Sequence, residues 1–228
     1  MREPELGELG ESVTGDGIGG KAAGLARLEE LGLPVPPYVV LAVDEELHDP
    51  EATVRRLGEP LAVRSSAVGE DAADRSAAGQ YETLLGVRAA ELPAAVERIR
   101  RGTDRARAYG GGDQIAVVIQ HEVPATRAGV AFSRDPVTGA DEVVVECAFG
   151  GGEGVVSGEV KPDRYRIADG RIHARAAGPL RTLRDDELGD LVGLVRRAEE
   201  GFGRPVDVEF CFDRRQLWLL QCRPITTL

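Results

Sequence analysis

The segment "VDVEFCFDRRQLWLLQCRPIT", residues 206–226, constrains the fold of this chain more than any other. Val206, Val208, Phe210 and Phe212 alternate, so a strand there has one apolar face and carries Asp207, Glu209 and Cys211 on the other. The residues that follow supply a second strand, and together they read as a β-hairpin. With a three-residue loop (Arg214, Arg215, Gln216), Asp213 pairs with Leu217, Glu209 lies opposite Gln221 and Asp207 lies opposite Arg223, all four on one face. A two-residue loop puts Glu209 opposite Leu220 and dissolves the group. In the first register a carboxylate beside an amide oxygen makes a hard, oxygen-rich site suited to Mg²⁺, which keeps waters and bridges nucleotide phosphates. A nearby arginine can neutralise a phosphoryl group in transit.

A length of 228 residues allows one large domain or two small subdomains sharing a cleft. No apolar run approaches the roughly 20 residues of a membrane-spanning helix. The acidic start "MREPELGELGESVTGDG" lacks the basic and apolar regions of a secretion signal, so the expected location is cytoplasmic. Cys147, Cys211 and Cys222 form neither a CxxC pair nor an even set, which points to core residues and not to zinc or disulfides. A formal charge of −11 argues against nucleic acid as a partner. Lys21 and Lys161 are the lysines of the chain, so each invites a question.

Along the chain, Leu25, Leu28 and Leu31 recur at helical spacing, and Gly32 with Pro34 stops the helix expected at 20–31. Strands are expected at 38–43, 61–67, 114–123 and 142–149. The stretch 128–139 ends in a tight turn at Asp135-Pro136 and Thr138-Gly139. Helices are expected at 92–107, with Gly102 a candidate break, and at 185–200, where Leu188, Leu191, Val192, Val195 and Ala198 share a face and Gly201 and Gly203 follow. Strands outnumber helices without regular alternation, so the class is α+β with mainly antiparallel sheets. The glycine run at 110–112 is the candidate boundary between subdomains 1–110 and 111–228.

Three further stretches carry polar groups in suggestive places. "GDGIGGKA" nearly matches a phosphate loop, but Ala22 stands where the metal-binding hydroxyl belongs and no apolar strand precedes it. What remains is either a glycine-rich turn that delivers Lys21 and free N–H groups to an anion, or a loop with a solvated lysine. In "AVRSSAVGEDAADRSAAGQYET", Arg64 can fork onto phosphate oxygens with the serine hydroxyls completing the cradle, or pair on the surface with Glu70 or Asp71. Gly79 and Thr83 suit close approach of a ligand, and equally a turn and a strand. Gln120, in "VVIQHEV", suits an adenine edge or a ribose, and equally an edge strand, while His121 has no Ser or Cys partner and reads as structural or solvated.

Taken in order, "GGKAAGL", "AVRSSAVGEDAADRSAAGQYET", "GVAFSRDPVTG", "GGGEGVVSGEVKPDRY" and "LLQCRPIT" resemble the N-terminal nucleotide-binding domain of phosphoenolpyruvate synthase, pyruvate phosphate dikinase and rifampin phosphotransferase. The resemblance implies an ATP-grasp fold, two subdomains enclosing ATP, and Mg²⁺ bridging its phosphates. It implies phosphate contacts from Lys21 and Arg64, a nucleotide loop including Gly79 and Thr83, an ATP contact from Gln120, Glu209 and Gln221 around the metal, and Arg223 facing phosphate. Arg64 and Arg223 are the expected catalytic pair. The swivelling domain with a TGGxxSHxAI-like carrier histidine has no counterpart around His48, His121 or His173, and the stretch from Lys21 to Arg64 is shorter than in those enzymes. The expected activity is therefore transfer of a phosphoryl or pyrophosphoryl group to a histidine on a separate chain. A compact kinase acting on a small acceptor and a noncatalytic ATP sensor are the alternatives.

Overall fold

The structure, a computed structural model, describes residues 17–68, 82–108, 114–151, 161–176 and 181–226. Among these residues ten strands form two wholly antiparallel sheets: β1 (Tyr38–Leu41), β2 (Leu61–Ala67), β3 (Thr83–Val87) and β4 (Ile115–His121) in the order β1-β4-β2-β3, and β5 (Arg127–Phe132), β6 (Val143–Phe149), β7 (Asp163–Ala168), β8 (Arg171–Ala176), β9 (Val206–Phe212) and β10 (Leu217–Pro224) in the order β10-β9-β5-β6-β7-β8. Helices α2 (Pro50–Leu57) and α3 (Leu92–Ala108) cover one face of the first sheet. Leu57, Leu92, Val96 and Ile99 pack there against Leu61, Val63, Val117 and Ile119. Helix α4 (Asp185–Phe202) covers the second sheet, where the expected stripe of Leu188, Leu191, Val195 and Ala198 is buried against Val143, Val145, Val208 and Phe210. Asp185, Asp186 and Glu187 in its first turn complement the helix dipole, and Gly203 ends it in the left-handed conformation.

Helix α1 (Gly19–Glu30) joins the two halves. Ile18, Ala22 and Leu25 pack on Val40, Ala116 and Val118 of the first sheet, while Leu28 belongs to the core of the second. The glycines of "GGKAAGL" make this possible. Gly19 has φ +74°, and a Cβ there would lie 2.3 Å from the Ser66 carbonyl oxygen; a Cβ on Gly24 would lie 2.2 Å from the carbonyl oxygen of Cys222 on β10. The Ala22 N–H donates to Ser66 Oγ at 3.1 Å. Gly24→Ala is accordingly expected to lower stability by about 1–3 kcal/mol, since backbone on both sides must move. Denaturant unfolding would measure it, and a variant as stable as the parent would remove α1 from this joining role.

Several boundaries differ from the sequence reading. The glycine run at 110–112 lies outside the described residues. The ladder of β4 to β1 and β2 puts Gln120 in the first sheet, so sheet membership changes over 122–126. Helix α3 continues through Gly102, and β5 stops at Phe132, where Asp135 Oδ1 accepts the N–H groups of Val137 and Thr138 at 2.8 and 2.9 Å. Two further features have local signals in the sequence. Asp49-Pro50 caps α2, with Asp49 Oδ1 accepting from Ala52 N, and Asp169-Gly170, both at positive φ, turns β7 into β8.

Candidate functional site

The closing hairpin sets the site, and it reaches the expected pairing by an unexpected route. Phe212 pairs with Leu217, so four residues, not three, separate the strands: Asp213, Arg214, Arg215 and Gln216. Asp213 organises this tip, its Oδ1 accepting from the N–H groups of Arg215 and Gln216 and its Oδ2 from Trp218 Nε1. This opening register would carry Glu209 to Leu220. An irregularity between Leu219 and Gln221 skips Leu220, after which Glu209 faces Gln221 and Asp207 faces Arg223.

Across the cleft stands Arg64 on β2. Its Nη2 donates to Gln221 Oε1 at 2.7 Å and to Glu209 Oε2 at 2.9 Å, and its Nη1 donates to the Leu220 carbonyl at 3.0 Å. The residue skipped by the ladder therefore offers its carbonyl to the opposite sheet. The Arg64 side chain is only 12% exposed, so the surface-pair reading of this arginine is overturned. The neighbouring hydroxyls serve the backbone, Ser65 Oγ donating to Glu82 O and Ser66 Oγ accepting from Ala22 N, instead of completing a cradle.

A cavity of about 910 Å³ opens between the sheets, within the range of nucleotide-sized sites. Arg64, Thr83 and Gln120 line it from the first sheet, Glu209, Cys211 and Leu220 from the second, and the connection 122–125 from the end. β4 lies between β1 and β2, which overturns the edge-strand reading of Gln120. The residue is 2% exposed, and its Nε2 has no hydrogen-bond partner among the described residues. An orphaned amide in the wall of a cavity is a donor placed for a ligand, because an unmet buried donor costs about 1–3 kcal/mol. Lys21 lies in the first turn of α1, half-buried; among the described residues neither it nor Gln221 nor Arg223 lines the cavity. Gly79 lies outside the described residues. His121 Nδ1 is buried without a described partner, its ring set beside Gly58.

Asp207, which the sequence placed on the right face but without a role, completes the acidic side. Arg223 holds it through Nε at 3.0 Å and Nη2 at 2.9 Å, yet Asp207 Oδ1 is buried with no hydrogen-bond partner among the described residues. Burial pushes its carboxyl above the ordinary carboxylate range, Arg223 opposes that shift, and the charge of Glu209 adds to it. A raised carboxyl stabilises the fold below its ordinary pKa and loses that contribution as pH rises through the raised value. Asp207→Asn is thus expected to match the parent in thermal midpoint below about pH 4 and to exceed it increasingly toward pH 8. A variant that melts lower at pH 8 would mean the Arg223 pair outweighs burial.

The residues suit a hard cation that brings its own ligands. The Glu209 and Gln221 oxygens converge on one cationic nitrogen, Arg64 Nη2, and the orphaned oxygen of Asp207 lies two residues away on the same face. Among the described residues no group of three His, Cys, Asp or Glu side chains could hold a metal ion. Burial and the charge of Asp213 push the Cys211 thiol up to about 12, so this cavity-lining cysteine is a neutral wall and not a nucleophile.

Two antiparallel sheets closing on such a cleft make this an ATP-grasp fold. The D-alanine–D-alanine ligase of Bacillus anthracis, solved in complex with ATP, superposes with a TM-score of 0.53 at 11% identity, covering 90% of this chain and 54% of that one. Residues 38–178 and 173–228 match the family model described as pyruvate phosphate dikinase, AMP/ATP-binding domain, and the chain belongs to that family. A probable phosphoenolpyruvate synthase of Methanothermobacter thermautotrophicus is 30% identical over 97% of this chain and 45% of its own length. A rifampicin phosphotransferase of a Streptomyces species is 34% identical over 99% of this chain and 30% of its own. The chain thus spans less than half the length of these relatives. No helix among the described residues is long and apolar enough to cross a membrane.

Proposed function

We propose that the chain binds Mg·ATP between its sheets and passes a phosphoryl or pyrophosphoryl group to a histidine carried on a separate domain or chain. The observation that carries this reading is the convergence of Arg64, Glu209 and Gln221 from opposite sheets, beside the orphaned Gln120 amide in a nucleotide-sized cavity. Gln120 would donate to the base or ribose, and Thr83 with Gly79 would flank the nucleotide. Lys21 and Arg64 would contact phosphate, Arg64 through its fork. Glu209 and Gln221 would hold the metal, with Asp207 in reserve behind Arg223. Bound there, Mg²⁺ would neutralise the β- and γ-phosphate oxygens. Arg223 is half-exposed and tethered by Asp207, which leaves its guanidinium able to meet charge that grows as the phosphoryl group leaves.

The family membership supports nucleotide chemistry, and the names of the longer relatives support transfer to an acceptor. Incubation with Mg·ATP and candidate carrier domains tests the proposal through its nucleotide product. Pyrophosphoryl transfer to the carrier releases AMP and phosphoryl transfer to it releases ADP; ADP formed with a small acceptor and no carrier would make the chain a simple kinase. Release of neither with any carrier or acceptor would sink the transferase reading.

A further inference from the structure

Arg64 and a divalent cation compete for the same oxygens. Its Nη2 takes Glu209 Oε2 and Gln221 Oε1, while the Leu220 carbonyl fixes Nη1 and keeps the guanidinium at that spot. We propose that Arg64 is a placeholder for the cation: while it holds Glu209 and Gln221 the pair is closed to metal, and nucleotide phosphate opens it by giving the guanidinium anionic oxygens in exchange. This rests on the reading of Glu209 and Gln221 as the metal pair, and concerns how that pair is controlled.

The physical grounds are the chemistry of the two cations. A guanidinium cannot step aside by losing its proton, so it leaves a carboxylate only for another anion. Mg²⁺ sheds water reluctantly, and two protein oxygens give it little reason to do so while also breaking two charge-assisted hydrogen bonds. With phosphate present both cations are satisfied, the arginine on phosphate and the metal between phosphate and Glu209. Metal and nucleotide then strengthen each other's binding reciprocally, and metal alone finds the site shut.

Mn²⁺ binding, followed by the electron paramagnetic resonance of the free ion, tests this without turnover. Mn²⁺ alone is expected to bind Arg64→Met at least about tenfold more tightly than the parent, the value of one charge-assisted hydrogen bond. The gain should vanish in Arg64→Met/Glu209→Gln, and Arg164→Met, which removes a positive charge elsewhere on the sheet that carries Glu209, should stay within about twofold of the parent. Arg64→Lys, which keeps the charge without the fork, should fall between parent and Arg64→Met, and serves if the latter does not fold. Equal Mn²⁺ affinity in the parent and both Arg64 variants overturns the proposal. So does a gain that survives Glu209→Gln, or one that Arg164→Met reproduces. Mn²⁺ with a nonhydrolysable ATP analogue on the parent and Glu209→Gln tests the underlying pair separately. Equal binding there removes the metal reading itself, whereas a loss in Glu209→Gln with no gain in Arg64→Met removes the placeholder alone.

Discussion

Glu209→Gln is expected to lower phosphoryl transfer by roughly 10²–10³-fold, the scale at which loss of one preorganised charged group is felt. The replacement keeps the size of the side chain and an acceptor oxygen for Arg64, so the fold should persist, with a lower thermal midpoint because the largely buried guanidinium loses its counterion. What it removes is the negative charge. A divalent cation held by that charge is lost or displaced, while Gln120 and the cavity wall are untouched, so affinity for nucleotide without metal should persist. Product release under single-turnover conditions, beside calorimetric binding of ATP with and without Mg²⁺, separates the two effects. A chain that only senses nucleotide would keep its biological activity in this variant so long as ATP still binds. Full transfer activity in Glu209→Gln would take the residue out of the metal site.

Arg223→Ala should cost roughly 10³-fold in transfer, as for arginines that meet charge developing on a phosphoryl group, with a much smaller change in ATP affinity. The asymmetry follows from where the side chain sits. Arg223 is half-exposed, pairs with Asp207 and is off the cavity wall, so ground-state nucleotide depends on it little. Equal losses in binding and transfer would show that it holds ground-state ATP. Arg223→Lys should recover part of the rate, since it restores charge opposite Asp207 without the fork. Stability must be read alongside, because removing Arg223 leaves the desolvated Asp207 carboxylate without its counterion.

Much of this site is legible in the chain itself. Alternation along β9 shows which residues leave the core, and the spacing of Glu209, Gln221 and Arg223 fixes their common face once the register is known. The register was reached for an incomplete reason, because strand ladders were counted as regular. No residue between Leu219 and Gln221 is a glycine or proline, so nothing local announces that the ladder skips one. Arg64 illustrates a different limit. Its residue type and place at a strand suggested an anion partner, but the partner lies 145 positions away in the other sheet, where local pattern cannot reach. Gln120 suits an edge strand and a ligand contact equally in sequence because periodicity does not report strand order, and the signal for β7 and β8 is the Asp169-Gly170 turn between them. Features set by one segment's own alternation or capping are legible in sequence; those set by which segments meet depend on the fold.

The skipped residue of β10 gives Arg64 an acceptor of an unusual kind. A peptide carbonyl belongs to every amino acid, so no replacement of the Leu220 side chain can take it away. Removing the residue altogether would straighten the ladder and still leave Glu209 facing Gln221, but the carbonyl would be gone. This contact is therefore inherited through the spacing of the chain and not through its lettering. A one-residue deletion would test what no substitution at that position can.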